Sequence, residues 1–311
     1  MAEKIYDLVV IGGGPAGLTA YLYAKRALLD VLLVEKGALG GQVLLTDWVE
    51  NYPGFPDGIS GFELIDLFKR QAERLGLELK QDEAVDLNTS DVFKIVRLAS
   101  GESLKSYAVI LALGAAPKRL GIPGEETLIG KGVSYCAVCD GPFFKNEVVA
   151  VVGGGDTALQ ESLYLTKFVK KVYLIHRRDT FRAIPILQKR VKENPKIELI
   201  LNSMVKEIHG QGKVEGILIE NLKTNERVRI PLSGVFIFIG LKPQTDWLKG
   251  KLDLDENGFI LTNRDLETSI PGVFACGDCV SKKFRQIVIA CGEGALASLS
   301  AEEYIQRLSN A

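Results

Sequence analysis

Four of the five cysteines in this 311-residue chain fall in two Cys-x-x-Cys pairs: Cys136/Cys139 in "SYCAVCDGP" and Cys276/Cys279 in "GVFACGDCVS". Such a pair can cycle between dithiol and disulfide, supply half of a zinc site, or do neither. Asp140 directly follows the first pair, and its carboxyl could deliver or remove the proton that thiol–disulfide exchange moves. The second pair flanks Gly277-Asp278 instead. With His176 and His209 the only histidines, there is little material for catalysis built on several imidazoles.

Two glycine turns carry the next layer of chemistry. Gly12-x-Gly14-x-x-Gly17 ends an apolar run and opens an alanine- and leucine-rich helical pattern. Gly12 allows the tight turn, Gly14 a close backbone approach to a pyrophosphate, and Gly17 close helix–strand packing. Glu35 follows at 35 − 12 = 23 positions, where a carboxylate accepts ribose hydroxyls, which fits FAD or NAD and disfavours NADP. The second turn is Gly153-x-Gly155-x-x-Ala158. Its equivalent position, 176 − 153 = 23, is His176, followed by Arg177, Arg178 and, a little later, Arg182. A guanidinium cluster in place of a carboxylate suits the 2′-phosphate of NADPH. Two dinucleotides of different kinds on one chain are the plan of a flavoprotein that takes hydride from NADPH.

The elements that must hold these groups repeat. "YDLVVIGGGPAGLTAYLYAKR" and "NEVVAVVGGGDTALQESLYLTK" each read strand, glycine turn, helix, and each is followed by a second strand, at 30–36 and 171–178. These are βαβ units, so the fold class is α/β with two doubly wound dinucleotide-binding (Rossmann-type) domains. Gly- and Pro-rich stretches at 113–126 and 240–248 read as linkers bracketing a middle domain. The tail, with the strand "GVFACGD" and a helix expected from about Gly294 to Arg307, is too small to stand alone and is expected to complete the first domain. The expected division is 1–117 with 245–311 for FAD and an inserted 118–244 for NADPH, the latter carrying the redox Cys-x-x-Cys.

Composition bounds the function. Hydrophobic content of 47% and charged content of 25% are ordinary for a globular enzyme, and a net charge of −1 makes no electrostatic case for nucleic acid or an anionic membrane. No apolar run approaches the ~18 residues of a membrane span or forms a signal peptide, so a cytoplasmic protein is expected.

Taken together, "GGGPAG", "GGQ" at 40–42, "ENYPGF" at 50–55, "CAVCDG", "GGGDTA", "HRRDTFRA", "GVFACGD" and "RQIVIACGEGA" at 285–295 resemble the low-molecular-weight thioredoxin reductases from about Ile5 to Leu308. The resemblance implies an FAD site of Gly12, Gly14, Pro15, Ala16, Gly17, Glu35, Lys36, Gly40, Gly41, Gln42, Asn51, Gly114, Gly277, Asp278, Arg285, Gln286 and Ile287. It implies an NADPH site of Gly153, Gly155, Asp156, Thr157, Ala158, His176, Arg177, Arg178 and Arg182. Cys139 would be the sulfur nearest the flavin, and Cys136 would attack the disulfide of thioredoxin or a thioredoxin-like protein. A homodimer, and an NADPH domain that rotates about the two linkers, are implied as well.

Three other readings remain at this level: a same-fold reductase of a glutaredoxin-like or other disulfide partner, a ferredoxin-type reductase, which would have no need of Cys136/Cys139, and a zinc-binding or redox-sensing protein using Cys136, Cys139, Cys276 and Cys279 together. Metal is not expected. Cys276 and Cys279 stand where the family has small apolar residues, and they read as small buried side chains.

Overall fold

The run "IYDLVVI" sends alternate side chains to opposite sides of a sheet, which fixes it as a strand buried on both faces. Leu8 and Val10 enter one apolar cluster, Val9 and Ile11 another. The computed structural model describes residues 4–46, 49–90 and 92–309. The chain divides into two compact units, Met1–Ala116 with Lys242–Ala311, and Pro117–Leu241.

The first stretch runs β1 (Ile5–Ile11), α1 (Pro15–Arg26), β2 (Val31–Glu35), α2 (Gly61–Glu73), β3 (Leu79–Gln81), β4 (Ala84–Thr89), β5 (Lys94–Leu98) and β6 (Ser103–Leu111). Gly14 is the N-cap of α1 and Pro15 its first residue, where a missing N–H costs nothing. Ser60 and Glu63 form a capping box on α2: Ser60 Oγ accepts from Glu63 N at 3.1 Å. The next elements are β7 (Ala115–Pro117), β8 (Val133–Ser134), α3 (Ala137–Asp140), β9 (Val148–Gly153), α4 (Asp156–Leu165), β10 (Lys171–Ile175), α5 (Pro185–Glu193) and β11 (Ile197–Ile200). An antiparallel meander of β12 (Ser203–His209), β13 (Gly216–Asn221) and β14 (Arg227–Pro231) leads into β15 (Gly234–Phe238), and β16 (Leu241–Pro243) pairs with β7. The chain ends with β17 (Val273–Ala275) and α6 (Ile287–Ser309).

In the first unit β3, β2, β1, β6 and β17 lie side by side, all parallel. The nine-residue β6 serves two neighbours along one edge. Its first half pairs antiparallel with β5, and its last residues, Val109–Leu111, pair with β17. The C-terminal segment is therefore part of the first sheet. In the second unit the order is β11-β10-β9-β15-β8, again parallel. Val149 and Val151 face one cluster there, Ala150 and Val152 the other. Full burial of one such aliphatic side chain contributes about 1.5–3 kcal/mol, so the central strands dominate each unit's stability.

α6 begins at Ile287, seven residues ahead of the expected start at Gly294. Gly292 and Gly294 argue against a helix interior by propensity, yet tertiary packing overrides it. A Cβ on Gly294 would come within 2.2 Å of the Ala16 carbonyl oxygen, so the missing side chain is what lets α6 cross closely over α1. Ala20 and Ala24 of α1 and Ala297 and Ala301 of α6 are fully buried in the same cluster.

Candidate functional site

In the first unit, the glycine turn after β1 has room only for glycine at two of its three positions. A Cβ on Gly12 (φ 107°) would lie 2.2 Å from Ala112 O, and one on Gly17 1.7 Å from Gly12 O. Gly14 has nothing within 4 Å, which leaves its backbone open at the N-terminus of α1. Glu35 ends β2 with its carboxylate on this turn, accepting from Gly13 N at 2.6 Å and Gly37 N at 2.7 Å. Its neighbour Lys36 is exposed and pairs with Glu83 at 3.0 Å.

Gly40, Gly41 and Gly277 lie against this turn or the start of α1, and the other expected residues pair among themselves or stand open. Gly40 (φ 119°) donates its N–H to Gly13 O at 2.8 Å, and a Cβ on Gly41 would sit 3.7 Å from Gly14 Cα. Gly277 (φ 74°) lies so near α1 that a Cβ would come 2.8 Å from the Ala16 Cβ. Asn51 Nδ2 donates to Gln286 Oε1 at 3.0 Å, and Ile287 opens α6. Arg285 Nε donates to the Asp278 carbonyl at 3.2 Å, and its guanidinium lies over the Phe259 ring. Gly114 (φ 66°) has open space beside it, and Gln42 is exposed.

Asp278 stands apart within this group. Its Oδ1 is shielded from solvent and bonded to nothing, and burial pushes its carboxyl above the ordinary range. A shielded acceptor without a donor calls for a partner with hydroxyls, which a ribitol chain would supply. The open backbone at Gly14 and Gly41 and the acceptor carboxylates of Glu35 and Asp278 make a lining that fits an FAD-sized dinucleotide. Glu293, which the sequence did not single out, holds this corner: Oε2 accepts from Gly277 N at 2.8 Å and pairs with Lys282.

The second unit repeats the turn with different occupants. A Cβ on Gly153 would meet Phe238 O at 2.4 Å and the Ala158 Cβ at 2.6 Å, while Gly155 is open. His176 does not join its basic neighbours. It is buried, its ring fills the space a Gly154 side chain would need, and it stacks on Phe181. Burial holds its pKa down, which favours the uncharged ring. Arg177, Arg178 and Arg182 are exposed and carry the positive charge. Two bonds tie their loop to the glycine turn: Arg182 N donates to Gly154 O at 2.8 Å and Ile184 N to Asp156 Oδ1 at 2.8 Å. Thr157 is exposed on the first turn of α4.

The same unit holds the redox candidate. Cys136 and Cys139 are joined in a disulfide with Cα atoms 5.3 Å apart. Cys136 is the N-cap of α3, and its sulfur accepts from Cys139 N at 3.2 Å. Asp140 Oδ2 accepts from Ser134 Oγ at 2.5 Å. Tyr135, just before the disulfide, donates to the buried Glu125 at 2.7 Å, and Glu125 also accepts from the amides of Leu120 and Gly121. Glu125 and Glu293 escaped sequence reasoning because their partners Tyr135 and Gly277 lie far along the chain, and Ser134, two residues before Cys136, because a lone serine carries no signal of the hydroxyl's aim.

Cys276 and Cys279 are free thiols buried on opposite faces of the first sheet. Burial raises both pKa values, Cys279 to about 11. Among the described residues no three His, Cys, Asp or Glu side chains are grouped to hold a metal ion.

Two dinucleotide turns and a redox disulfide define the class that comparison returns. Residues 6–294 match the family described as pyridine nucleotide-disulphide oxidoreductase. The chain is 44% identical over 310 residues to a thioredoxin reductase of Peptoclostridium acidaminophilum, covering 98% of each. It is 43% identical over 304 residues to a bifunctional thioredoxin reductase/thioredoxin of Mycobacterium leprae, covering 97% of this chain and 66% of that one. The crystal structure of thioredoxin reductase from Streptococcus pyogenes MGAS5005 superposes with a TM-score of 0.94 at 44% identity, covering 98% of this chain and 100% of that one. The chain belongs to the thioredoxin reductases, NADPH-dependent flavoprotein oxidoreductases within that class.

Proposed function

We propose that the unit formed by the two chain ends binds FAD, that the inserted unit binds NADPH, and that electrons leave through Cys136–Cys139 to thioredoxin or a thioredoxin-like protein. The observation that carries the reading is the disulfide capping α3 on a chain with two glycine turns. Glu35 would accept from the adenosine ribose, the amides after Gly14 would face the pyrophosphate, and Asp278 would accept from the ribitol. Arg177, Arg178 and Arg182 would clamp the 2′-phosphate of NADPH, and His176 and Asp156 would hold their loop in place. Bound FAD would supply the two-electron relay between NADPH and the disulfide.

The chain's own residues do the exchange. Once reduced, Cys136 Sγ, as thiolate, attacks one sulfur of the partner's disulfide. That S–S bond breaks, a Cys136–partner mixed disulfide forms, and the departing sulfur takes a proton from Asp140. Cys139 passes its proton to the Asp140 carboxylate and attacks Cys136 Sγ, which restores the Cys136–Cys139 bond; the partner's second sulfur departs as a thiolate and takes a proton from water. The fusion named for the Mycobacterium leprae relative supports thioredoxin as partner. Exposed Tyr23, Val288, Leu296 and Leu299 on α1 and α6 support a second copy of the chain as their cover, hence a homodimer. No described helix is long and apolar enough to cross a membrane, and a cytoplasmic location accords with the free thiols.

The test is a turnover assay of the yellow holoprotein with NADPH and a bacterial thioredoxin. Thioredoxin-dependent NADPH oxidation that Cys139→Ser eliminates is expected. A colourless protein, or full turnover in Cys139→Ser, would overturn the reading.

A further inference from the structure

We infer that Ser134 is a positioning residue that lets Asp140 change protonation state without rearranging the dithiol turn. The inference rests on Asp140 being the proton carrier of the exchange proposed above.

Ser134 ends β8, is 4% exposed, and places one hydroxyl between three groups. Ser134 Oγ lies 2.5 Å from Asp140 Oδ2, 3.2 Å from the Cys136 carbonyl oxygen and 3.1 Å from the Cys136 amide nitrogen. A hydroxyl has one proton to give and two lone pairs to offer. The Cys136 N–H takes one lone pair in every state. When Asp140 is a carboxylate, the Ser134 proton goes to Oδ2, at the short separation usual for a hydroxyl on an anion. When Asp140 is protonated, its O–H donates into the second lone pair, and the Ser134 proton turns to the Cys136 carbonyl. Each of these polar atoms keeps a partner in both states, and only a hydroxyl rotation separates them. A proton can then be taken up or released beside the disulfide with no side chain displaced, the preorganisation that catalytic proton transfer requires.

Among the described residues, α4 and the segment before α3 bring further titratable groups to it. On α4, packed against it, Asp156 is engaged by the Ile184 amide, burial pushes the Glu161 carboxyl up towards its neutral form, and Tyr164 is the third. The Gly141–Phe144 segment carries none, and Tyr135 beside Ser134 is held by Glu125. Ser134 is the side chain of this group that meets both Asp140 and the Cys136 backbone.

The experiment compares pH–rate profiles of holoenzyme turnover with NADPH and thioredoxin. Asp140→Asn should remove one limb of the wild-type profile, which marks that limb as Asp140. Ser134→Ala loses the donor that favours the carboxylate, so the same limb should move to higher pH by about one unit, the tenfold change in proton affinity that a hydrogen bond to a charged group commonly provides. Ser134→Thr, which keeps the hydroxyl, should restore the wild-type limb. In the Asp140→Asn background, Ser134→Ala should leave the pH dependence unaltered. A Ser134→Ala enzyme slowed equally at every pH, with the limb unmoved, would overturn the inference and leave the Asp140 assignment standing. A limb that survives Asp140→Asn would overturn the assignment, and the inference with it.

Discussion

Cys136/Cys139 and Cys276/Cys279 share one spacing and have opposite fates. The first pair follows β8 into a helical turn, where the first cysteine caps the helix and the second reaches back across one turn to bond it. The second follows β17 into a 3-10 turn, where Gly277, at φ 74°, redirects the chain. One sulfur is left in the cluster under α1 and α6, the other in the cluster on the far face of the sheet. Spacing in sequence offers a dithiol; the backbone path between the cysteines decides whether one exists. The first pair is partly exposed and its first sulfur receives an N–H, whereas complete burial raises the pKa values of the second and withholds solvent and partner.

That contrast breaks most sharply on substitution. Cys136→Ser or Cys139→Ser should lower thioredoxin turnover at least about a thousandfold, as loss of a nucleophile does, while NADPH still bleaches the flavin in rapid mixing. Next in size is Gly17→Val, which forces a side chain into the Gly12 carbonyl and should yield protein without bound flavin, read from its visible spectrum. The double replacement of Arg177 and Arg178 by Ala should raise KM for NADPH by roughly ten- to a hundredfold with little change for NADH, because charge-assisted bonds to the 2′-phosphate are lost. Smallest should be Cys276→Ala with Cys279→Ala: turnover within about twofold of wild type, and a stability loss of about 1–2 kcal/mol in denaturant titration from two small buried volumes.

The glycine turns, the parallel strands and the first dithiol were legible because each is a local pattern: period-two apolar runs, tight turns and a three-residue spacing. What stayed hidden depends on distant partners. Gly294 reads as a helix breaker until Ala16 of α1 is seen pressed against it. His176 reads as one of a basic cluster, yet its ring faces inward onto Gly154 while Arg177 and Arg178 face solvent. Glu293 is unremarkable in sequence and becomes structural only where Gly277 N and Lys282 meet it. Asp278 is assigned to the flavin by resemblance alone; the fold adds its shielded oxygen with no donor.

Alkylation of the native holoprotein before and after NADPH, read by mass spectrometry, tests the central claim most directly. NADPH should make Cys136 and Cys139, and no other cysteine, newly available to the reagent. New labelling at Cys276 or Cys279, or none at Cys136 and Cys139, would contradict it.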